Sequence, residues 1–320
     1  MTEKLKILLV DSLHPVFKLM TEEKGFVCVD GTEWTTGEIK DRINEFSGIT
    51  LRSRMKIDKE IISDAKSLKF IARAGAGMEN IDVNFAQANN ITCLNSPEGN
   101  RDAVGEHALG MLLVLMNNLK KADHEVRQGI WKREENRGTE LMGKTAGIIG
   151  FGNTGSAFAK KLSGFGVQII AYDKYVPVDT TKFPFVLKCT PEKIFDEADI
   201  LSLHIPLTEE TTYMVNDEFI NKFKKSFYLV NTSRGKIVKT DDLVKHLQSG
   251  KIKGACLDVF EFEDISFEKM HPEDSGTLNY LKNCDKVILT PHIAGWTHES
   301  TEKIARALAE KIINLNLSQK

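Results

Sequence analysis

Short apolar runs rich in β-branched residues recur in two series along this chain, each alternating with segments of helical spacing. That double alternation narrows the possible folds more than any other feature. The first series occupies residues 6–10, 26–29, 48–53, 70–73 and 91–95, and the second 145–150, 167–172, 200–205, 227–231, 254–260 and 286–290. Between the runs, apolar residues such as Ile39, Ile43 and Phe46, or Ile61, Ile62 and Leu68, fall on one helical face. Strands separated by helices pair in parallel and are covered on both faces. The pattern therefore predicts an α/β chain of two Rossmann-like lobes, each a parallel sheet flanked by helices, with the cleft between them. A length of 320 residues with 41% hydrophobic content is enough for two cores. A long helical stretch from about 102 to 131 stands between the series. A last helix, from about 298 to 316, carries Ile304, Leu308, Ile312 and Ile313 on one face and is expected to cross back. The expected division is a discontinuous substrate-binding domain, 1–100 plus 297–320, and a dinucleotide-binding domain, 101–296.

The second series opens on GIIGFGNTGS, in which Gly150, Gly152 and Gly155 have the G-x-G-x-x-G spacing. The motif alone is weak. Here it follows an apolar strand and opens a helix, the context in which the first glycine makes a tight turn, the second lets backbone approach a pyrophosphate, and the third lets helix pack on strand. The first-turn N–H groups and the helix dipole favour the phosphates. The next strand ends in Asp173, close to the spacing expected for a carboxylate on the adenosine ribose, which selects NAD over its 2′-phosphorylated form. Lys174 beside it pulls the other way. The bland alternative is a glycine turn near a surface aspartate.

Ligands of open parallel sheets bind beyond the carboxyl ends of the strands. The third to sixth runs of the second series lead there into His204, Ile205 and Pro206; then NTSRG with Arg234; then Asp258, Glu261 and Glu263; and finally TPHIAG with His292. Reduction of a keto acid needs a hydride donor, a proton donor and an anchor for the carboxylate. A histidine titrates near neutrality and supplies the proton. A neighbouring carboxylate stabilises its charged form, and an arginine fork binds carboxylate and polarises the carbonyl. Each residue alone is more simply a turn cap, a solvated acid or a core histidine, but all three stand at consecutive strand ends.

The net charge of −2 gives no basic footprint for nucleic acid. No apolar stretch approaches the ~20 residues a membrane helix needs, and the start lacks the features of a signal peptide. The five cysteines are scattered with no C-x-x-C pair, so neither a metal site nor a disulfide framework is expected. A cytoplasmic chain with reduced thiols follows.

From about residue 48 to 300 the chain resembles the D-isomer-specific 2-hydroxyacid dehydrogenases, most of all short phosphoglycerate dehydrogenases lacking regulatory domains. The matching stretches are LRSRMKI, RAGAGMENID, NSPEGNRDAVGEHALG, GKTAGIIGFGNTGS, AYD, LHIPLTEETTYMVN, LVNTSRGKIV, ACLDVFEFE and TPHIAG. The resemblance implies that Arg234 binds substrate, that Glu263 rather than Glu261 supports the histidine, and that His292 is the acid/base. It implies that Asp258 holds the nicotinamide carboxamide, that Asn153 and Thr154 face the pyrophosphate, and that Thr232, Ser233, His204, Ile205, Pro206 and Gly295 line the cofactor. It further implies that Arg73, Ala74 and Gly75 offer backbone N–H groups to the substrate carboxylate, with Asn100 positioning that loop. Two departures stand out. Asp264 replaces the proline usual after the glutamate, and the segment 264–285, with His271, reads as an insertion. No serine-binding feedback domain is expected after the last helix.

Arg52 and Arg54, on one face of a strand by alternation, would suit a substrate phosphate as in 3-phosphoglycerate and 3-phosphohydroxypyruvate. That would place the protein in serine biosynthesis. The alternatives are glyoxylate, hydroxypyruvate or another short keto acid and, more remotely, an NAD(H)-sensing corepressor-like scaffold. A Rossmann methyltransferase would have no use for Arg234, Glu263 and His292. The resemblance also implies a homodimer built on the 102–131 stretch.

Overall fold

The computed structural model describes residues 4–263, 276–315 and 317, which form two compact units. The first holds described residues 4–100, 296–315 and 317; the second holds 101–263 and 276–295. The strands of the first are β1 (Lys6–Leu9), β2 (Val27–Asp30), β3 (Gly48–Leu51), β4 (Phe70–Arg73) and β5 (Thr92–Asn95), in the order β2-β1-β3-β4-β5. Those of the second are β6 (Thr145–Ile149), β7 (Gln168–Tyr172), β8 (Val186–Lys188), β9 (Ile200–Leu203), β10 (Phe227–Asn231), β11 (Ile252–Leu257) and β12 (Val287–Leu289), ordered β12-β11-β10-β9-β6-β7-β8. Every strand pair is parallel. Both orders are doubly wound and reverse direction beside the first strand of each sheet.

Burial explains why these segments are strands. β3, β6 and β9 are buried along their whole length, as strands covered on both faces must be. Alternation then sorts their side chains into two layers. Ile149, Ile170, Leu201 and Leu203 share one apolar cluster, while Ala146, Ile148, Ile169 and Ile200 share the other. In the first unit Leu8, Ile49 and Ile71 lie on one side of the sheet and Ile7, Phe70 and Ala72 on the other. The helix His298–Ile313 starts from a capping box of Thr297 and Ser300 and adds Ile304, Leu308 and Ile312 to the Ile7–Phe70 layer.

The structure departs from the sequence reading in three places. Among the described residues the second sheet has β8 at its edge, giving seven strands rather than six. The stretch 102–131 is two helices, Pro97–Met116 and Leu119–Arg127, separated at Asn118, whose left-handed φ of 54° no continuous helix can hold. β3 stops at Leu51, so Arg52 and Arg54 lie beyond it and strand alternation does not govern them. Of the expected insertion, residues 264–275, including Asp264 and His271, lie outside the described residues; the helix Gly276–Asn283 follows.

Candidate active site

The parallel second sheet brings the carboxyl ends of β6, β9, β10, β11 and β12 to one edge, with its switch point between β6 and β9. Gly150 follows β6 with φ of 90°, and a Cβ there would lie 2.2 Å from the His204 carbonyl oxygen. A Cβ on Gly155 would lie 2.0 Å from the Gly150 carbonyl oxygen, so helix and loop meet only because both residues are glycine. At Gly152 a Cβ would meet nothing within 4 Å. That open face precedes the helix Asn153–Leu162, whose first N–H groups, Asn153 and Thr154 among them, have no intrahelical acceptor. Asp173 at the end of β7 is fixed to the loop, its Oδ2 accepting from the Phe151 N–H at 2.7 Å and its Oδ1 from Tyr175 and Val176. Beyond β10, the Thr232 hydroxyl is buried with no hydrogen-bond partner among the described residues. A tight glycine cradle with one open face, a fixed carboxylate and an orphaned hydroxyl together fit a dinucleotide.

His292 lies past β12 in the left-handed region, with φ of 55°, a conformation that costs a non-glycine residue about 1–3 kcal/mol. Asp258, at the end of β11 and only 1% exposed, holds it there. The Asp258 carbonyl accepts the His292 N–H at 2.8 Å. Its carboxylate accepts from the N–H groups of Ile293 and Ala294 and from the Thr290 hydroxyl at 2.6 Å. His107 of the helix Pro97–Met116 completes the network, with Nε2 3.0 Å from Thr290 Oγ1. Because the Thr290 hydroxyl donates to Asp258, the His107 N–H donates to Thr290. Neither His107 nor Thr290 stood out in the sequence; the signal was faint, a histidine one turn before Met111 and a threonine before Pro291.

The two acids of the EFE run separate cleanly. Glu261 caps the backbone N–H of Thr240 at 3.0 Å and accepts from the Tyr213 hydroxyl, holding that phenol above its ordinary pKa. Glu263 Oε2 lies 2.8 Å from His292 Nδ1, and its Oε1 takes the Phe260 N–H. Both side chains of the pair are largely buried, at 12% and 21% exposure. Arg234 reaches the same edge through a turn shaped by Asn231, whose amide donates to the Arg234 carbonyl and accepts from the Ser233 N–H. Gly235 then packs so closely on the Phe260–Glu261 backbone that a Cβ would lie 1.8 Å from the Phe260 oxygen.

Several expected roles meet a different geometry. The His204 ring is buried, bonded through Nε2 to Ser202 Oγ at 2.8 Å and packed near Phe158; burial lowers its pKa to about 3. It faces the core, and its carbonyl rather than its ring meets the glycine loop. The Ser233 hydroxyl donates to the Leu203 carbonyl and accepts the Ile205 N–H, tying β10 to β9. Asp258, expected on a carboxamide, has its carboxylate engaged with the His292 turn. Pro206 contributes its carbonyl to the Thr211 hydroxyl. Gly295 closes the turn after Ala294.

In the first unit the Ala74 and Gly75 N–H groups donate to the Leu51 and Arg73 carbonyls, so they are already used internally. The loop after Arg73 is held by Asn95, bonded to the Ala76 carbonyl, and by the Ser96 N–H on the Gly75 carbonyl. Asn100, expected to position that loop, has a buried Oδ1 with no hydrogen-bond partner among the described residues. Arg73 Nε donates to the Arg52 carbonyl. The Arg54 guanidinium donates to the Thr32 and Gly31 carbonyls, and Arg52 stacks 3.7 Å over the Trp296 ring. The two arginines are thus not a pair on one strand face.

Among the described residues no helix is long and apolar enough to cross a membrane, and no group of three or more His, Cys, Asp or Glu residues is placed to hold a metal ion.

Comparison with known proteins gives a consistent result. The model of the D-isomer specific 2-hydroxyacid dehydrogenase NAD binding domain matches residues 109–294. The chain is 38% identical over 275 residues to the hydroxypyruvate reductase of Thermotoga maritima, covering 86% of each. It is 34% identical over 278 residues to the D-3-phosphoglycerate dehydrogenase of Archaeoglobus fulgidus, covering 87% of this chain and 51% of that one, so it spans about half the length of that relative. Among solved structures, the D-lactate dehydrogenase of Aquifex aeolicus complexed with NAD and lactic acid aligns with a TM-score of 0.82 and 28% identity, covering 98% of this chain and 97% of that one.

Proposed function

The chain belongs to the D-isomer specific 2-hydroxyacid dehydrogenase family, which binds NAD, and from that premise we propose that it interconverts a short D-2-hydroxyacid and its 2-keto acid. The observation that carries the reading is the Glu263–His292 contact of 2.8 Å on a left-handed turn. Glu263 accepts from Nδ1–H, which leaves Nε2 as the nitrogen that exchanges a proton with substrate. In reduction, the His292 imidazolium gives its Nε2 proton to the carbonyl oxygen and is left neutral, with Nδ1–H still on Glu263. In oxidation, neutral Nε2 takes the proton from the hydroxyl. NADH supplies the hydride when bound. Arg234 holds the substrate carboxylate and polarises the carbonyl. Thr232 offers its unpaired hydroxyl to the cofactor. The N-terminal part, 1–100 with 297–320, serves as the substrate-binding domain, and 101–296 as the NAD-binding domain.

For the substrate we favour an unphosphorylated acid such as hydroxypyruvate or glyoxylate, because Arg54 is committed to two backbone carbonyls. Reduction of 3-phosphohydroxypyruvate is the second reading. Arg52 favours it, since its guanidinium lies over the Trp296 ring and, among the described residues, is in no ion pair as close as a hydrogen bond. We also propose a homodimer through the helix Leu119–Arg127, which buries none of its residues in the single chain.

The test is NADH oxidation with hydroxypyruvate, glyoxylate and 3-phosphohydroxypyruvate at equal concentrations, with His292→Asn as control. Asparagine tolerates the left-handed conformation, so the control removes the ring and keeps the turn. The expected result is faster turnover of an unphosphorylated acid and a loss of about 10²–10⁴-fold in the control. Near-normal turnover by a folded His292→Asn protein would overturn the mechanism. A strong preference for the phosphorylated acid would replace the first substrate reading with the second.

A further inference from the structure

Lys174 follows the carboxylate that marks the adenosine ribose, and a cation there is what a 2′-phosphate would seek. The structure gives Lys174 another partner. Its ammonium donates to Glu210 Oε1, and Tyr175 Oη donates to Glu210 Oε2 at 2.5 Å. The Lys174 ammonium also lies 5.3 Å from the centre of the Tyr175 ring. Glu210 thus bridges two consecutive residues at the end of β7 from the loop that follows β9.

That loop is built rather than slack. The Thr211 hydroxyl donates to the Pro206 carbonyl at 2.7 Å, the Thr208 N–H donates to the Thr211 hydroxyl, and the Thr212 N–H and hydroxyl both reach the Thr208 carbonyl. Its far end is fixed at Tyr213, whose backbone is left-handed and whose N–H donates to the Lys236 carbonyl. The backbone around Glu210 is therefore held across a short turn. The mutual effect on the charges agrees with the contact. Glu210 makes Lys174 harder to deprotonate, and Lys174, with Tyr175, holds the Glu210 carboxyl below its ordinary range.

We propose that Glu210 is a cofactor-specificity residue: by occupying Lys174 it withholds from a 2′-phosphate the cation beside Asp173. The proposal rests on the NAD-binding reading of the glycine loop and not on which keto acid is turned over. An exposed ion pair of this kind contributes little to stability. Its consequence is selectivity, since a phosphate monoester near neutrality carries about −1.5 to −2 charges and responds to both groups. Asp173 alone would disfavour the phosphate; Asp173 with Glu210 leaves no unneutralised positive charge at that end of β7 from Lys174.

The test is a fluorescence titration of the whole protein with NADH and with NADPH, reading dissociation constants rather than turnover. The proteins are wild type, Glu210→Gln and Glu210→Gln with Lys174→Ala. Both side chains are about half exposed, at 50% and 53%, and circular dichroism checks that the variants fold. We expect wild type to favour NADH. Glu210→Gln should improve the NADPH-to-NADH ratio about tenfold, or about 1.4 kcal/mol, with the gain shrinking as salt is raised. Removing Lys174 as well should cancel most of that gain. An unchanged ratio in Glu210→Gln overturns the proposal. So does a double variant that keeps the full gain, because repulsion by Glu210 would then act without Lys174. A wild type that binds neither dinucleotide overturns the NAD reading together with the proposal. Binding of NADH without turnover of any keto acid would count against the proposed reaction alone.

Discussion

Two histidines at the same sheet edge show how far surroundings decide the chemistry of one side chain. His292 stands largely buried on a strained turn with a carboxylate on Nδ1. His204 is sealed beside Phe158 with the Ser202 hydroxyl on Nε2, and among the described residues its Nδ1 has no hydrogen-bond partner. The first was legible because an arginine and an acid recur at neighbouring strand ends. The inward turn of the second ring was not legible, although a serine two positions earlier, on the same strand face, was the available sign of an internal partner. His204 also has a measurable signature. In the unfolded chain it takes a proton near the ordinary histidine value of 6.5, while in the folded protein burial delays this until about pH 3. Between those values the unfolded state binds the extra proton, so stability is complete above pH 6.5 and is lost as pH falls towards 3. The expected slope from this residue approaches about 1.4 kcal/mol per pH unit. Urea unfolding at pH 7, 6 and 5 should show a shallower loss for His204→Asn than for wild type; parallel losses would mean that His204 is protonated in the native state.

At the scale of elements, strands buried on both faces announced themselves and marginal ones did not. β6 and β9 are continuous apolar runs, whereas β8 is three residues with Leu187 and Lys188 exposed at the sheet edge, too short and too mixed to carry a period. The helix break at Asn118 was hidden because the apolar spacing runs through it, and only the paired asparagines hinted at a turn. The arginines after β3 were misassigned for a related reason: alternation is a property of strands, and β3 has already ended. The most exacting contact between elements is also silent in the sequence. Gly235 lies against the backbone of Phe260 and Glu261, two residues before the partner of His292. Gly235→Ala has no flexible side chain to displace, so the segment must move and carry Glu263 away from His292 Nδ1. We expect a loss of about 1–3 kcal/mol in stability, in the range of overpacked sites, and of roughly tenfold or more in kcat with NADH affinity kept. Wild-type kcat in a folded Gly235→Ala protein would show that the 260–263 segment tolerates displacement.

At the scale of the whole molecule, the single chain leaves apolar surface where the proposed dimer would cover it. Leu119 and Val126 are each 52% exposed, Trp131 is 78% exposed, and Ile130 and Met142 are also exposed. Scattered exposed apolar residues are ordinary, but a helix with none of its residues buried asks for a cover. Light scattering should give twice the 35.9 kDa chain mass for wild type. Trp131→Asp with Val126→Asp should give the single-chain mass with NADH binding retained; a wild type already at 35.9 kDa would remove the dimer. The sequence conveyed the discontinuous first unit only through the apolar face of the last helix, Ile304, Leu308 and Ile312, with no sign of what it would meet. It meets Ile7, Phe17 and Phe70, from the opposite end of the chain. That closure imposes an order on synthesis. As the chain leaves the ribosome, Ile7, Phe17 and Phe70 emerge first and wait for their cover until residues 101–295 have been translated, on the order of ten seconds or more at about 5–20 residues per second. The second unit, continuous in sequence through most of its sheet, can complete its core during that delay. Until then the first unit carries uncovered apolar surface, the condition under which a nascent chain is most prone to aggregate.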